Sequence, residues 1–239
     1  EIKDLDYGFA KRPKNLPTVL SAQEVALVLS HLKGKYWLIT ALLYGCGFRI
    51  QEVLSLRVKD IDLHHRSILI FRGKGAKDRF TLLPNSLVIP IQQQIEAVKH
   101  VHQWDKTEGF GSTSVPASLK RKYGKAIDDF SWQYLFPSST RCIHPYDGYE
   151  CRHHIHGSTY SKQLRKAVKL SGIHKRVTAH VFRHSFATNL LLNGSDIRTV
   201  QDLLGHTDLR TTEIYTHVIG QRRAGTISPM DSLVPTNIP

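Results

Sequence analysis

Residues 178–218 read TAHVFRHSFATNLLLNGSDIRTVQDLLGHTDLRTTEIYTHV, and their punctuation decides how the chain folds. Thr178 is suited to cap a helix in which Phe182, Phe186 and Leu190 recur every four residues, and Gly194 stands where a left-handed residue would end it. His180 and Arg183, three apart, then share one face near the helix N-terminus, where the peptide dipoles and free N–H groups already favour an anion. A second helix begins at Asp196, turns Ile197, Val200 and Leu204 to one side, and stops at Gly205, so His206 falls on the turn just beyond it. Thr211 or Thr212 can cap a third helix whose Ile214 and Val218 face the core. Tyr215 is thereby expected on a different face.

Outward from this stretch, composition sets limits. The chain has 239 residues, 33 basic against 20 acidic, and a net charge of +13 with 14 histidines besides. A polyanion is the natural partner, although a ribosomal or membrane-surface protein would share that charge. Hydrophobic residues make up 41% of the chain, and the charge is spread along it, which argues for a folded domain rather than a basic arm. Cys46, Cys142 and Cys151 are irregularly spaced and no secretory signal accompanies them, so a reducing, cytoplasmic setting is expected. No apolar run approaches the roughly 20 residues of a spanning helix.

Residues 1–18 carry two prolines and no period, and read as a linker or the stub of a preceding domain. Ser21 and Glu24 form a capping box for a helix over residues 21–32, and residues 36–44 are a nearly unbroken apolar run fit for a buried helix. Arg49 follows Gly45 and Gly47, which let the backbone turn tightly into the next helix, and Glu52 is expected to brace rather than react. Residues 67–71 and 80–83 pair as strands around the turn RGKGAKDR, which projects Lys74, Lys77 and Arg79. Residues 86–104 form a long helix if Pro90 lies in its first turn. Residues 119–130 suggest a basic helix, followed by the aromatics Phe130, Trp132, Tyr134 and Phe136, and residues 158–170 suggest an amphipathic helix. Cys151, His153, His154 and His156 match no familiar zinc spacing, and neither a metal nor another cofactor is expected.

The ordered set H-x-x-R-H (residues 180–184), Q-D-L-L-G-H (201–206) and I-Y-T-H-V (214–218) resembles the C-terminal signature of the tyrosine recombinase, or phage integrase, family. Upstream, Gly47-Phe48-Arg49-Ile50-Gln51-Glu52 fits the family's G-x-R-x-x-E box, and the turn fits G-K-G-x-K-[DE]-R. The resemblance implies an α+β, mainly helical catalytic fold with a small antiparallel hairpin, over residues 19–218. It implies a catalytic set of Arg49, Lys74, His180, Arg183, His206 and Tyr215, with DNA as partner. Lys77 and Arg79, on the basic turn, are expected to be solvated and to touch backbone phosphates.

The segment of about residues 106–157 exceeds a minimal recombinase. Its runs LKRKYGKA, WQYLFPS and RHHIH resemble the insertion of integron integrases, a likeness that extends over residues 14–233. That subgroup's substrates, folded single-stranded hairpins with bulged bases, make Trp132, Pro145, His153 and His154 candidates for base capture, and Lys120, Arg121 and Lys122 for DNA contact. The family's C-terminal tail commonly packs on a neighbouring subunit, so residues 219–239 are expected to join a tetramer on DNA, and the missing segment before residue 1 to be the core-binding domain. A type IB topoisomerase, or a DNA-binding module without catalysis, remains an alternative from these residues.

The chemistry suits the set. A phosphodiester in reaction gathers charge on its non-bridging oxygens, which two always-protonated guanidinium forks can meet. Imidazoles can move the nucleophile's proton near neutrality, and a phenol of pKa ~10 is a poor nucleophile but a competent leaving group. Cations beside Tyr215 are expected to lower that pKa. The reading requires Arg49 and Arg183 to grip one anion, and Tyr215 to be reachable.

Overall fold

The computed structural model of the protein describes residues 17–71 and 78–222, with side chains to residue 216. Ser21 accepts from the Glu24 N–H and Glu24 reaches back to the Ser21 N–H, so helix α1 (Ala22–Ser30) starts on the expected capping box. The apolar run becomes α2 (Gly34–Gly45), buried along Leu38–Leu43 and lying at the centre of the main core. Gly47 then adopts φ +67°, and a Cβ there would collide with the ring of Phe186, so glycine is required for both conformation and space. Gly45 stays helical and takes no part in that turn.

Arg49 is the N-cap of the short α3 (Ile50–Leu54). After it, β1 (Ile61–Asp62), β2 (Ser67–Ile70) and β3 (Arg79–Leu82) form one antiparallel sheet in that order, with Leu69 opposite Phe80 and Ile70 opposite Arg79. Ile68 and Ile70 turn into the core while Phe80 and Leu82 face outward. The tip carrying Lys74 and Lys77 lies outside the described residues.

Helix α4 (Asn85–Thr107) runs longer than expected and keeps Pro90 in its second turn, not its first. The ring removes one backbone donor, and the burial of Leu87, Ile91 and Val98 on one side holds the helix through that gap. The basic stretch is helical only as α5 (Ala117–Tyr123), because Gly124 takes φ +53° and the chain continues in 3₁₀ turns over Gly124–Asp128 and Phe130–Trp132. A small hairpin follows, β4 (Cys142–Ile143) with β5 (Glu150–Cys151), and then α6 (Gly157–Leu170) returns to the main core.

The C-terminal helices match the punctuation closely. Helix α7 (Ala179–Leu192) ends before Gly194 at φ +88°, and α8 (Ile197–Leu204) is capped by the Asp196 carboxylate and closed by left-handed Gly205. Thr178 holds the N-cap position of α7 without a side-chain cap bond. Helix α9 (Arg210–Arg222) starts earlier than expected. Asp208 accepts the Arg210 N–H, and Thr211 and Thr212 lie inside the first turn. Helices α7, α8 and α9 share a second core of Phe186, Ala187, Val200, Leu204 and Tyr215. Among the described residues no helix is long and apolar enough to cross a membrane.

Candidate active site

The site is organised around a carboxylate. Glu52, in the first turn of α3, accepts the Arg49 N–H at 2.8 Å and the Arg49 guanidinium at 2.8 Å, and takes both terminal nitrogens of Arg79 at 2.9 and 2.8 Å. Arg183 Nη1 comes within 3.9 Å of the same group. Arg49 and Arg183 therefore do face one anion, here the side chain of Glu52. Burial works against the Glu52 charge, but the hydrogen bonds from Arg79 and Arg49 outweigh it and hold its pKa below the usual carboxylate range. Glu52 braces, as expected. Arg79 does not behave as expected: it is no solvated turn residue, because the bidentate pair with Glu52 and a bond to the Leu203 carbonyl draw it inward.

Arg183 is 3% exposed and donates to the carbonyls of Gly47 and Leu204 at 2.5 and 2.6 Å, tying the first arginine box to the end of α8. Burial, with Arg49 close by, brings its pKa down to about 10, which leaves it protonated at neutral pH. It also meets His206 Nε2 at 3.1 Å, while His206 Nδ1 meets Thr212 Oγ1 at 3.0 Å. An arginine can only donate, so His206 accepts at Nε2 and carries its proton on Nδ1. His180, one turn before His184, stands exposed at the rim of a cleft of about 910 Å³ that Arg49, Phe71, Tyr123, Trp132 and Tyr134 also line.

Tyr215 departs from the expectation of an accessible face. It is 2% exposed in the second core, its ring lies nearly parallel to His206 at 6.5 Å, and its hydroxyl meets His184 Nδ1 at 3.0 Å. The helix that carries it is wedged between α7 and α8, so the face turned from Ile214 is covered as well. Burial raises its pKa, and Arg183 and Arg49 only partly oppose the rise, the reverse of the expected net direction. His184 was legible only as the last letter of H-x-x-R-H. Its role depends on a partner from another helix.

Of the further candidates, Lys74 and Lys77 lie outside the described residues. Arg121 and Lys122 are exposed on α5, and Lys120 Nζ lies 3.5 Å from the centre of the Tyr149 ring. Trp132 is not an exposed stacking platform: it is 8% exposed, packed in a small core with Val115 and Ile127, and covered by Lys59 at 3.0 Å from its ring centre. Pro145 is exposed on the turn between β4 and β5. The His153 and His154 rings lie 4.0 Å apart at a tilt of 37° and both meet Tyr134 in T-shaped contacts, His153 the more exposed, and partial desolvation followed by the neighbouring His154 lowers the His153 pKa to about 4. No metal-binding cluster occurs among the described residues.

Sequence reading missed Arg57. Its side chain donates to the Trp132 and Ser114 carbonyls and to Tyr134 Oη, at 2.5, 2.9 and 3.0 Å, and so fastens the inserted segment to the core beside the cleft. It also missed the ion pair of Asp105, 4% exposed at the end of α4, with Arg152.

Comparison with known proteins agrees with this architecture. The Phage integrase family profile matches residues 14–222. An integrase/recombinase of Escherichia coli is 43% identical over 230 residues, covering 96% of this chain and 68% of its own length. The tyrosine recombinase XerA of Thermococcus onnurineus is 36% identical, covering 87% of this chain and 61% of its own. Among solved structures, a XerA recombinase superposes with a TM-score of 0.62 at 28% identity, over 88% of this chain and 67% of that one. The XerH site-specific recombinase bound to a palindromic difH substrate gives 0.59 at 25%, over 87% and 52%. The chain belongs to the phage integrase family, the tyrosine-type site-specific DNA recombinases.

Proposed function

We propose that residues 19–218 form the catalytic domain of an integron-type recombinase that joins DNA through a 3′-phosphotyrosyl intermediate with Tyr215 as nucleophile. The observation that carries this is the meeting of Arg49 and Arg183 at the Glu52 carboxylate, with His206 against Arg183 and the Tyr215 ring 6.5 Å from that of His206. A DNA phosphate entering beside Arg49 and His180 meets guanidinium forks that stay protonated, and these stabilise the charge gathered on the non-bridging oxygens. Tyr215 Oη forms its bond to phosphorus as the P–O5′ bond breaks. Its proton goes to an imidazole, a role we assign to His206, and Lys74 protonates the departing 5′-oxygen. A 5′-hydroxyl of the partner strand reverses these transfers, so no high-energy cofactor is consumed.

The substrate reading rests on the inserted segment. Pro145 and His153 are exposed on this segment and His154 is half-buried beside His153, whereas Trp132, corrected to a buried position, is not offered to a base. An unpaired base stacked on such rings gains roughly 1–3 kcal/mol. The working assembly we propose is a tetramer on DNA, and the tail to which the sequence reading assigns the subunit contact lies, from residue 223 on, outside the described residues.

One trapping experiment tests the reading, using a nicked hairpin with and without bulged bases. Wild type should give a covalent adduct that maps to Tyr215, several-fold more with the bulges, and Tyr215→Phe should give none while binding within a few-fold. An adduct with the Phe variant refutes the nucleophile, and equal yields on both hairpins refute base capture.

A further inference from the structure

His184 follows Arg183 directly on α7, so its side chain leaves the helix about 100° away from the arginine. Arg183 points to Gly47 and Leu204 while His184 points to α9 and meets the Tyr215 hydroxyl at 3.0 Å. Phe186, Ala187, Val200 and Leu204 form the apolar bed beneath the phenol, and the parallel ring of His206 lies beside it. Two clefts flank the arginines, one lined by Arg49 and His180, the other by Arg79 and His206. Among the described residues, Tyr215 lines neither.

The direction of the proton in this contact follows from its surroundings. Burial, then His180 and Arg183, lower the His184 pKa to about 4, and burial raises that of Tyr215. Both groups are therefore neutral, the contact is a hydrogen bond in which the phenol can donate to Nδ1, and the imidazole is far too weak a base to deprotonate its partner. A neutral acceptor of this kind holds a hydroxyl in place without activating it.

We propose that His184 is a positioning residue that latches the Tyr215 hydroxyl into its bed on α7, withholding the nucleophile from the clefts until DNA binding loosens α9. The consequence for catalysis rests on the reading of Tyr215 as nucleophile, whereas the latch itself is a property of the DNA-free chain. Losing one such hydrogen bond should raise the undocked population about three- to ten-fold.

The test is nitration of the DNA-free chain by tetranitromethane, with Tyr215 and Tyr146 quantified by peptide mass spectrometry. Tyr146 is 90% exposed and serves as the internal reference. His184→Phe keeps a ring but loses the acceptor, and should raise Tyr215 nitration about three- to ten-fold relative to Tyr146. His184→Asn sets an amide oxygen near the place of Nδ1 and should return the ratio to within about two-fold of wild type. Unchanged nitration in the Phe variant overturns the latch, and so does an equal rise in both variants, which would reduce His184 to a packing role. Should the Phe variant fail to fold, His184→Leu is judged by the same outcomes. Covalent trapping runs in parallel. A wild type that gives no adduct at Tyr215 sinks the nucleophile assignment, and nitration still decides the latch.

Discussion

A carboxylate at the centre of a cage meant for phosphate needs a physical reason. Glu52 is nearly buried, and three arginines converge on it, two with hydrogen bonds of 2.8–2.9 Å and the third at 3.9 Å. Without it Arg49, Arg79 and Arg183 would repel one another in a site that excludes much of the water, so Glu52 both fixes the forks and holds them together. Glu52→Gln should therefore lower stability at pH 7 by about 3 kcal/mol in urea unfolding, the cost of leaving buried charges uncompensated. A loss below about 0.5 kcal/mol would show that the arginines are held by packing and backbone contacts instead. At this scale the sequence was most informative where a motif fixes a residue by spacing along one helix, as with Arg49, Arg183 and His206. It was silent where a role depends on a partner distant in sequence. Nothing local distinguishes Arg79 as a brace from a solvated turn arginine, and nothing local aims His184 at Tyr215.

Helix boundaries were legible wherever a cap or a left-handed glycine sets them, as at Ser21, Asp196, Gly194 and Gly205. They were misjudged at the ends of α4, which starts one residue earlier and runs three residues longer so that Pro90 falls in its second turn, and at α5, where the basic stretch read as helix to residue 130 stops at Gly124, whose positive φ was not weighed. The inserted segment was legible as an addition but not in its attachment. Its small core of Val115, Ile127 and Trp132 is too slight to stand alone, and Arg57 supplies the tether by satisfying carbonyls at Trp132 and Ser114 and the hydroxyl of Tyr134. Arg57→Met keeps much of the stem yet leaves those acceptors unpaired. Hydrogen exchange should then accelerate ten-fold or more across residues 112–137, corresponding to about 1.4 kcal/mol or more of lost local stability, while α2 changes little. Equal acceleration in both regions would mean that Arg57 supports the whole core rather than this attachment.

For the molecule as a whole, the charge of +13 overstates what a nucleic acid can meet. Arg57, Arg79 and Arg152 are spent inside, on carbonyls and on Glu52 and Asp105, and they cannot release counterions from a phosphate without dismantling the fold. The exposed cations differ in kind. Arg121 and Lys122 stand on α5, whose Leu119 and Tyr123 line the same cleft as Arg49 and His180, so DNA laid along that cleft passes close to them. Because they touch no core, replacing both with alanine should change stability by less than about 0.5 kcal/mol. If each contacts a phosphate, the double variant should flatten the plot of log affinity against log salt by about 1 to 2, with weaker binding to every sequence tried. A slope equal to that of wild type would place the DNA elsewhere. A loss confined to bulged hairpins would instead make α5 part of base recognition, since a purely electrostatic contact cannot tell a bulged stem from a flush one.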